Sequence, residues 1–390
     1  MEPLEFVTSW YHSTYYYLGG LVLVWLTVLY YIGSNVQKIL HSDGGNSILL
    51  AFLFTTITIF YVGLRPLGAE FGDMMAYSRY YANVTEYQSV NIHTEWLWNN
   101  IQVFMKRMGF NVYEFFLFVA AVYYSCMLIC CFKLMRNNLW VAMIYFIWAF
   151  QAYTYGVNGM RNGFACSMVL VALCLIIESK PKRVLGFIIM FLAMCVHRSS
   201  MLPSVAGIAT LYVVKDTKTA LRFWLASIAI SLTMGPLVEA FFASLGFDDR
   251  FSSYQQGQYS TYNQSIFSHT GFRWDFLLYS SFPVAMIWYV TEYRKFTSKQ
   301  FTMFANSYLL CNAFWIMVIR ASFSNRFAYL SWFIYPAVMA YPLLRMNLWK
   351  DQDRKTAIIM FLYTGFTFFM FFIYYFGTTG FKGFDQYWWK

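Results

Sequence analysis

Charge is scarce in this chain. Of 390 residues, 12% are Asp, Glu, Lys or Arg, against 59% hydrophobic and 22% aromatic. A soluble globular domain carries about twice that charged share, so a soluble fold is excluded. The alternating segments of about ten residues that build an outer-membrane barrel are also missing. No HExxH pattern and no His/Asp pair at ligand spacing occurs, which leaves metal chemistry without support. A Walker loop and a Gly-rich dinucleotide fingerprint are absent, which argues against a nucleotide-driven step and leaves no cofactor to expect. No basic stripe lies on a soluble segment, so nucleic acid is set aside as a partner. Residues 1–12 are aromatic and acidic and lack the basic n-region and cleavage site of a signal peptide. The first span is therefore expected to stay in the mature protein. The seven cysteines, Cys126, Cys130, Cys131, Cys166, Cys174, Cys195 and Cys311, all fall inside apolar runs and read as small core residues. Internal repeats and low-complexity tracts are lacking.

What the chain has is apolar runs of about 20 residues, the length that crosses the hydrocarbon core as helix. The fold class expected is an all-α polytopic membrane protein, a single integral membrane domain over 1–390 with about 12 transmembrane segments. Spans are placed near 14–33, 47–64, 112–132, 139–155, 162–178, 183–196, 203–214, 221–245, 273–292, 301–319, 323–344 and 356–376. Every second connection is short and basic, with Lys38; Lys133 and Arg136; Lys180, Lys182 and Arg183; Lys215, Lys218 and Arg222; Arg294, Lys295 and Lys299; and Arg345, Lys350, Arg354 and Lys355. Lys and Arg in short loops mark the cytoplasmic side, which puts both termini outside. The formal charge of +10 suits inner loops that face anionic lipid.

Two outward connections are long, and both read as substrate-facing lids. In the loop 65–111, Leu97, Ile101, Phe104, Met105 and Met108 share one helical face, and Glu95, Asn99, Gln102 and Lys106 the other. That pattern predicts an amphipathic helix on the membrane surface or capping the bundle. The loop 246–272 is polar and aromatic and includes Tyr254, Tyr259 and Tyr262. Two segments are short: Val184–Val196 would reach about 20 Å and Pro203–Val214 about 18 Å as helix. They meet at His197-Arg-Ser-Ser-Met-Leu-Pro203, which predicts two half-spans with a polar elbow lining a water-filled cavity.

With this orientation, charged residues gather at outer helix ends: Arg65, Asp73, Glu95, Arg161, His197, Arg198, Arg273, Asp275, Arg320 and Arg326. Arg198 and Arg273 read as interfacial anchors that snorkel to headgroups. Arg161 ends the glycine-broken turn Tyr155-Gly-Val-Asn-Gly-Met-Arg161 and leads into an apolar helix. An arginine there is costly, by roughly 2.5 kcal/mol or more if deep, so it has a partner or a task. Arg320 and Arg326 flank Ala321-Ser-Phe-Ser-Asn325, and converging guanidinium forks make a diphosphate clamp. Asp73, beside Gly72, can serve as a general base or as a helix N-cap, the two roles being compatible. His197 is either a buried structural donor or a substrate contact. Tyr77, Tyr80, Tyr254, Tyr259 and Tyr262 are candidate sugar-stacking platforms.

These motifs, in this order, resemble those of the EpsG/Wzy-type membrane polysaccharide polymerases: Arg65 with Gly72-Asp73 and Tyr77, then Glu95-Trp-Leu97, Arg161 within Gly159-Met-Arg-Asn-Gly-Phe-Ala165, His197-Arg-Ser-Ser200, and Asn325-Arg326 before a Tyr-rich span. The resemblance implies a GT-C-like glycosyltransferase with its site on the outer face of the cytoplasmic membrane, independent of metal and nucleotide. It implies an undecaprenyl-diphosphate-linked glycan whose diphosphate meets Arg161, Arg326, Arg320 and Arg65. Asp73, His197 and Glu95 are the catalytic candidates, and the base is open between Asp73 and His197. Partners implied are the lipid-linked glycans, the bilayer, a flippase and a chain-length regulator. The alternatives are a ligase that moves the finished glycan and, from another class, a lipid-linked sugar transporter or flippase. A transporter would carry midplane charge and related halves; neither is seen. A membrane O-acyltransferase fits less well, because its histidine faces the cytosol.

Overall fold

The computed structural model describes residues 7–33, 44–88, 95–244, 272–320 and 325–371, with Pro3 and Ile39. Helix dominates, and no strand occurs among the described residues. The chain divides into two compact units, one of residues 1–167 with 340–390, the other of 168–339.

The helices fall close to where the apolar runs place them. In order they are α1 (Ser9–Ile32), α2 (Gly45–Gly63), α3 (Met74–Asn83), α4 (Trp96–Arg107), α5 (Val112–Met135), α6 (Leu139–Ile147), α7 (Ala152–Val157) and α8 (Met160–Ile176). Then come α9 (Lys180–Val196), α10 (Met201–Tyr212), α11 (Thr217–Ser244), α12 (Trp274–Trp288), α13 (Lys299–Met317), α14 (Asn325–Trp332), α15 (Tyr335–Arg345) and α16 (Gln352–Phe369). Among the described residues, four helical stretches are long and apolar enough to cross a membrane: Tyr11–Ile32, Gly45–Gly63, Val112–Ile147 and Arg326–Arg345.

Local chemistry sets the ends. Helix α5 begins with a capping box: Asn111 Oδ1 accepts from the Tyr113 and Glu114 amides, both at 3.0 Å, and Glu114 Oε2 accepts from the Asn111 amide at 2.8 Å. That pairing satisfies donors a helix start otherwise leaves open. Asp216 does similar work for α11, where its Oδ2 accepts from the Thr219 amide and hydroxyl at 2.9 Å.

In the first unit α1 packs on α16, and α2 packs on α5 and α6. The run 139–155, expected as one span, is two helices with a break between Ile147 and Ala152. Hydroxyls from neighbouring helices take up the loosened carbonyls. Tyr16 donates to Ile147 O at 2.8 Å, Thr367 to Trp148 O at 2.9 Å and Tyr123 to Ala152 O at 3.0 Å. Irregular backbone in an apolar surround persists only with such partners.

In the second unit α13 is the central element, with α10, α11 and α14 against it. Its Asn312 is fully buried and bonded on both sides: Oδ1 accepts from Trp224 Nε1 at 2.8 Å, and Nδ2 donates to Ser280 and Ser331 at 3.1 and 2.9 Å. Large apolar side chains point outward along α1, α2, α9, α11 and α16, such as Leu29 at 65% and Leu49 at 69% exposed. Water would not tolerate so continuous an apolar surface, and hydrocarbon does.

Candidate functional site

The site is built from the turn between α7 and α8. Asn158 and Gly159 both donate their amides to Thr154 O, at 2.7 and 3.2 Å, which closes α7. Helix α8 starts at Met160, so Arg161 stands in its first turn. Gly163 allows α7 and α8 to approach, since a Cβ there would lie 2.5 Å from the Tyr155 carbonyl oxygen.

Arg161 is half-buried and engaged. Its Nη1 donates to Glu95 Oε2 at 2.6 Å, and its Nε donates to the Tyr77 hydroxyl at 3.4 Å. The guanidinium also lies 5.7 Å from the centre of the Tyr77 ring, and the Asp73 carboxylate lies within its electrostatic field. No described residue accepts from Nη2. One arginine therefore gathers Asp73, Tyr77 and Glu95, drawn from three separate stretches of chain. Trp98 sets its edge to the Tyr77 ring at 5.9 Å and backs the group.

Glu95 sits at the N-cap of α4 with φ +57°, a left-handed conformation that costs a non-glycine residue about 1 kcal/mol or more. Strain of this kind collects at functional sites. Here it accompanies the short bond to Arg161. In α4 itself the two faces are mixed: Gln102, expected on the polar outer face, is fully buried, and Phe104 and Met108 are each 61% exposed. Burial follows Trp98, Val103 and Met105, which pack inward, rather than the longer apolar stripe.

Asp73 precedes α3 at the cap position, but its carboxylate makes no capping bond. Its amide is held instead: Asp73 N–H donates to Asn158 Oδ1 at 2.8 Å. Gly72 has φ +65°, and a Cβ on it would lie 2.7 Å from the Asn158 amide group. The turn needs glycine on both counts. Asn158 lies inside the arginine motif, but sequence reading assigns it no part, because its partner is 85 residues away.

Arg65, expected among the diphosphate ligands, is 0% exposed. Nη1 donates to Val62 O at 2.6 Å, and Nη2 donates to Val157 O at 3.0 Å and to Met160 Sδ at 3.1 Å. The Phe116 ring centre is 5.0 Å from its guanidinium. Arg65 thus braces the Arg161 turn from inside. His12, unmarked in sequence, is fully buried beside it; Nε2 donates to Tyr61 O at 2.9 Å and Nδ1 accepts from the Tyr153 hydroxyl at 2.8 Å. The Tyr61 carbonyl can only accept, which fixes that tautomer.

The remaining candidates belong to the second unit. His197 is extended backbone at the end of α9, its amide on Ala193 O at 2.9 Å and its carbonyl accepting from Ser200 at 3.1 Å. The break between α9 and α10 is therefore an elbow, as expected. It packs against α14, which carries the exposed Arg326. Arg320 is half-buried, its guanidinium 5.8 Å from the Phe272 ring centre. Arg273 pairs with Asp275 through two bonds, at 2.9 and 2.6 Å. Tyr80 is 49% exposed on α3. Tyr254, Tyr259 and Tyr262, and nearly all of the lid 246–272, lie outside the described residues. Among the described residues no group of three His, Cys, Asp or Glu side chains comes together as a metal site.

The family model of the EpsG family matches residues 48–388. That span contains Arg65, Asp73, Glu95, Arg161, His197, Arg320 and Arg326. Neither a curated protein nor a solved structure matches this chain.

Proposed function

The chain belongs to the EpsG family of Wzy-type polysaccharide polymerases, which act in a membrane, and from that premise we propose that it joins undecaprenyl-diphosphate-linked oligosaccharide repeats at the outer face of the cytoplasmic membrane. In this reading the protein is a GT-C-like glycosyltransferase of about 12 spans, with both termini outside. It needs neither metal nor nucleotide, because the diphosphate linkage carries the energy.

The observation that supports the reading is the Arg161 group. Glu95 and Tyr77 fix the guanidinium while no described residue takes Nη2, so the charge is pre-oriented before substrate arrives. Arg161 would hold the donor's diphosphate. The acceptor sugar's hydroxyl oxygen attacks C1, the bond from C1 to the diphosphate oxygen breaks, and the electron pair leaves with the diphosphate. Fixed positive charge stabilises that leaving group.

The hydroxyl proton goes to Asp73, whose carboxylate makes no hydrogen bond among the described residues; Glu95 already has an oxygen on Arg161. Glu95 then acts by orienting Arg161, and His197 is the alternative base. Arg320 and Arg326 are proposed as further ligands of anionic groups. Tyr77 and Tyr80 are proposed as sugar platforms, with Tyr254, Tyr259 and Tyr262 from the lid. Arg65 supports the turn instead of touching substrate. Holding both lipids by their headgroups makes the transfer effectively unimolecular.

The test is chain growth in vesicles that hold the purified protein and a lipid-diphosphate-linked repeat. The wild type is expected to make a ladder of lengthened glycans. Arg161→Ala is expected to fold and insert normally and to make none. Absence of lengthened glycan from the wild type overturns the proposal, and undiminished laddering by Arg161→Ala overturns the role given to Arg161. Transport of the repeat across the bilayer without any lengthening would favour a flippase.

A further inference from the structure

Asn158 joins the two halves of the Arg161 group. It ends α7 three residues before Arg161, and its backbone is tied to Thr154. Its side-chain amide lies against the Gly72 Cα and accepts the Asp73 amide at 2.8 Å. The turn that presents Asp73 is thus seated on the turn that presents Arg161, through one hydrogen bond and one close contact. Neither partner can be altered freely. A side chain at Gly72 would strike the Asn158 amide, and the left-handed φ of +65° disfavours any residue with a Cβ. The Asp73 carboxylate makes no hydrogen bond among the described residues, so this backbone seat defines where it stands.

We propose that Asn158 is a positioning residue for glycosyl transfer, holding the Asp73 carboxylate at a set distance from the Arg161 guanidinium. The inference rests on the functional reading above, in which Asp73 takes the acceptor's proton and Arg161 holds the leaving diphosphate. The two groups must act on atoms separated by one forming and one breaking bond. A shift of about 1 Å between catalytic groups lowers rates by about a hundredfold, with little effect on the binding of remote parts of the substrate.

Two substitutions separate positioning from mere support. Asn158→Leu keeps the branched shape and removes the acceptor; Asn158→Asp keeps an oxygen where Oδ1 stands. Initial rates of repeat addition are measured in vesicles, against repeat concentration, on protein shown to be folded by size-exclusion profile and melting temperature. Asn158→Leu is expected to lower kcat by about 10- to 100-fold with KM changed by less than about threefold, and Asn158→Asp to recover most of that loss. A kcat for Asn158→Leu within about twofold of wild type overturns the proposal, as does an Asn158→Asp variant no better than Asn158→Leu. Should Asn158→Leu not insert, Gly72→Ala disturbs the same contact from the other side and is expected to show the same selective loss of kcat; an unchanged kcat there also overturns the proposal. Arg161→Ala runs beside them. If it elongates normally, the role given to Arg161 fails; if the wild type makes no ladder, the polymerase reading fails; if Arg161→Ala is inactive and Asn158→Leu is not impaired, only the positioning role fails.

Discussion

Two arginines that look alike in sequence have opposite environments. Arg161 is half-buried, with Nη2 free of described partners, whereas Arg65 is sealed and donates to two carbonyls and a thioether. Substitution should tell them apart. Arg65→Ala removes the brace, leaves the Val62 and Val157 carbonyls short of a donor and opens a cavity. It is expected to destabilise the protein by about 2–4 kcal/mol, read as lower yield of folded protein and a melting temperature well below wild type. Arg161→Ala is expected to melt near the wild-type temperature and still fail in chain growth. Equal melting temperatures for both variants would refute the distinction. The sequence shows both as charges at outer helix ends and offers no sign of which is enclosed. Burial depends on Phe71 and Phe116 closing around Arg65, and no local pattern encodes that contact. Glu95 is legible as part of a motif, but its left-handed backbone and its bond to Arg161 are not, since they join positions 66 residues apart.

Helices were the most legible feature. Apolar runs and basic loops place nearly every one, and the cap residues set several starts. Asp216 is such a residue: its bonds to the Thr219 hydroxyl and amide hold its carboxyl below the ordinary range. Asp216→Ala is expected to cost about 0.5–1 kcal/mol at neutral pH, the usual value of an N-cap. The folded-state pKa is the lower one, so this stability is present above the unfolded value near about 4 and disappears as pH falls through the folded one. The gap in melting temperature between variant and wild type should therefore close in acid. A gap that stays constant down to the lowest workable pH would refute the assignment. Where helices break was less legible. The gap between α6 and α7 has no proline; it depends on Tyr16, Tyr123 and Thr367 supplying hydroxyls from other helices. The break after α9 was legible, because the polar stretch at His197 interrupts two short apolar runs.

For the molecule as a whole, the alternation of basic loops predicts a sidedness that labelling can check. Thr85 follows α3 and Lys218 lies at the start of α11, and both are exposed. Thr85→Cys is expected to react with an impermeant maleimide from outside intact cells, and Lys218→Cys only after the membrane is opened. The reverse pattern would invert the proposed orientation and move Arg161 to the cytoplasm. The division into two compact units was not legible, because its boundary falls inside α8 and α15, where the apolar pattern runs on unbroken. Helix α10 has 12 residues and reaches about 18 Å, against about 30 Å of hydrocarbon. In the proposed arrangement of two half-spans, a helix of that length covers a little over half of the hydrocarbon, which leaves the His197 elbow below the outer membrane surface.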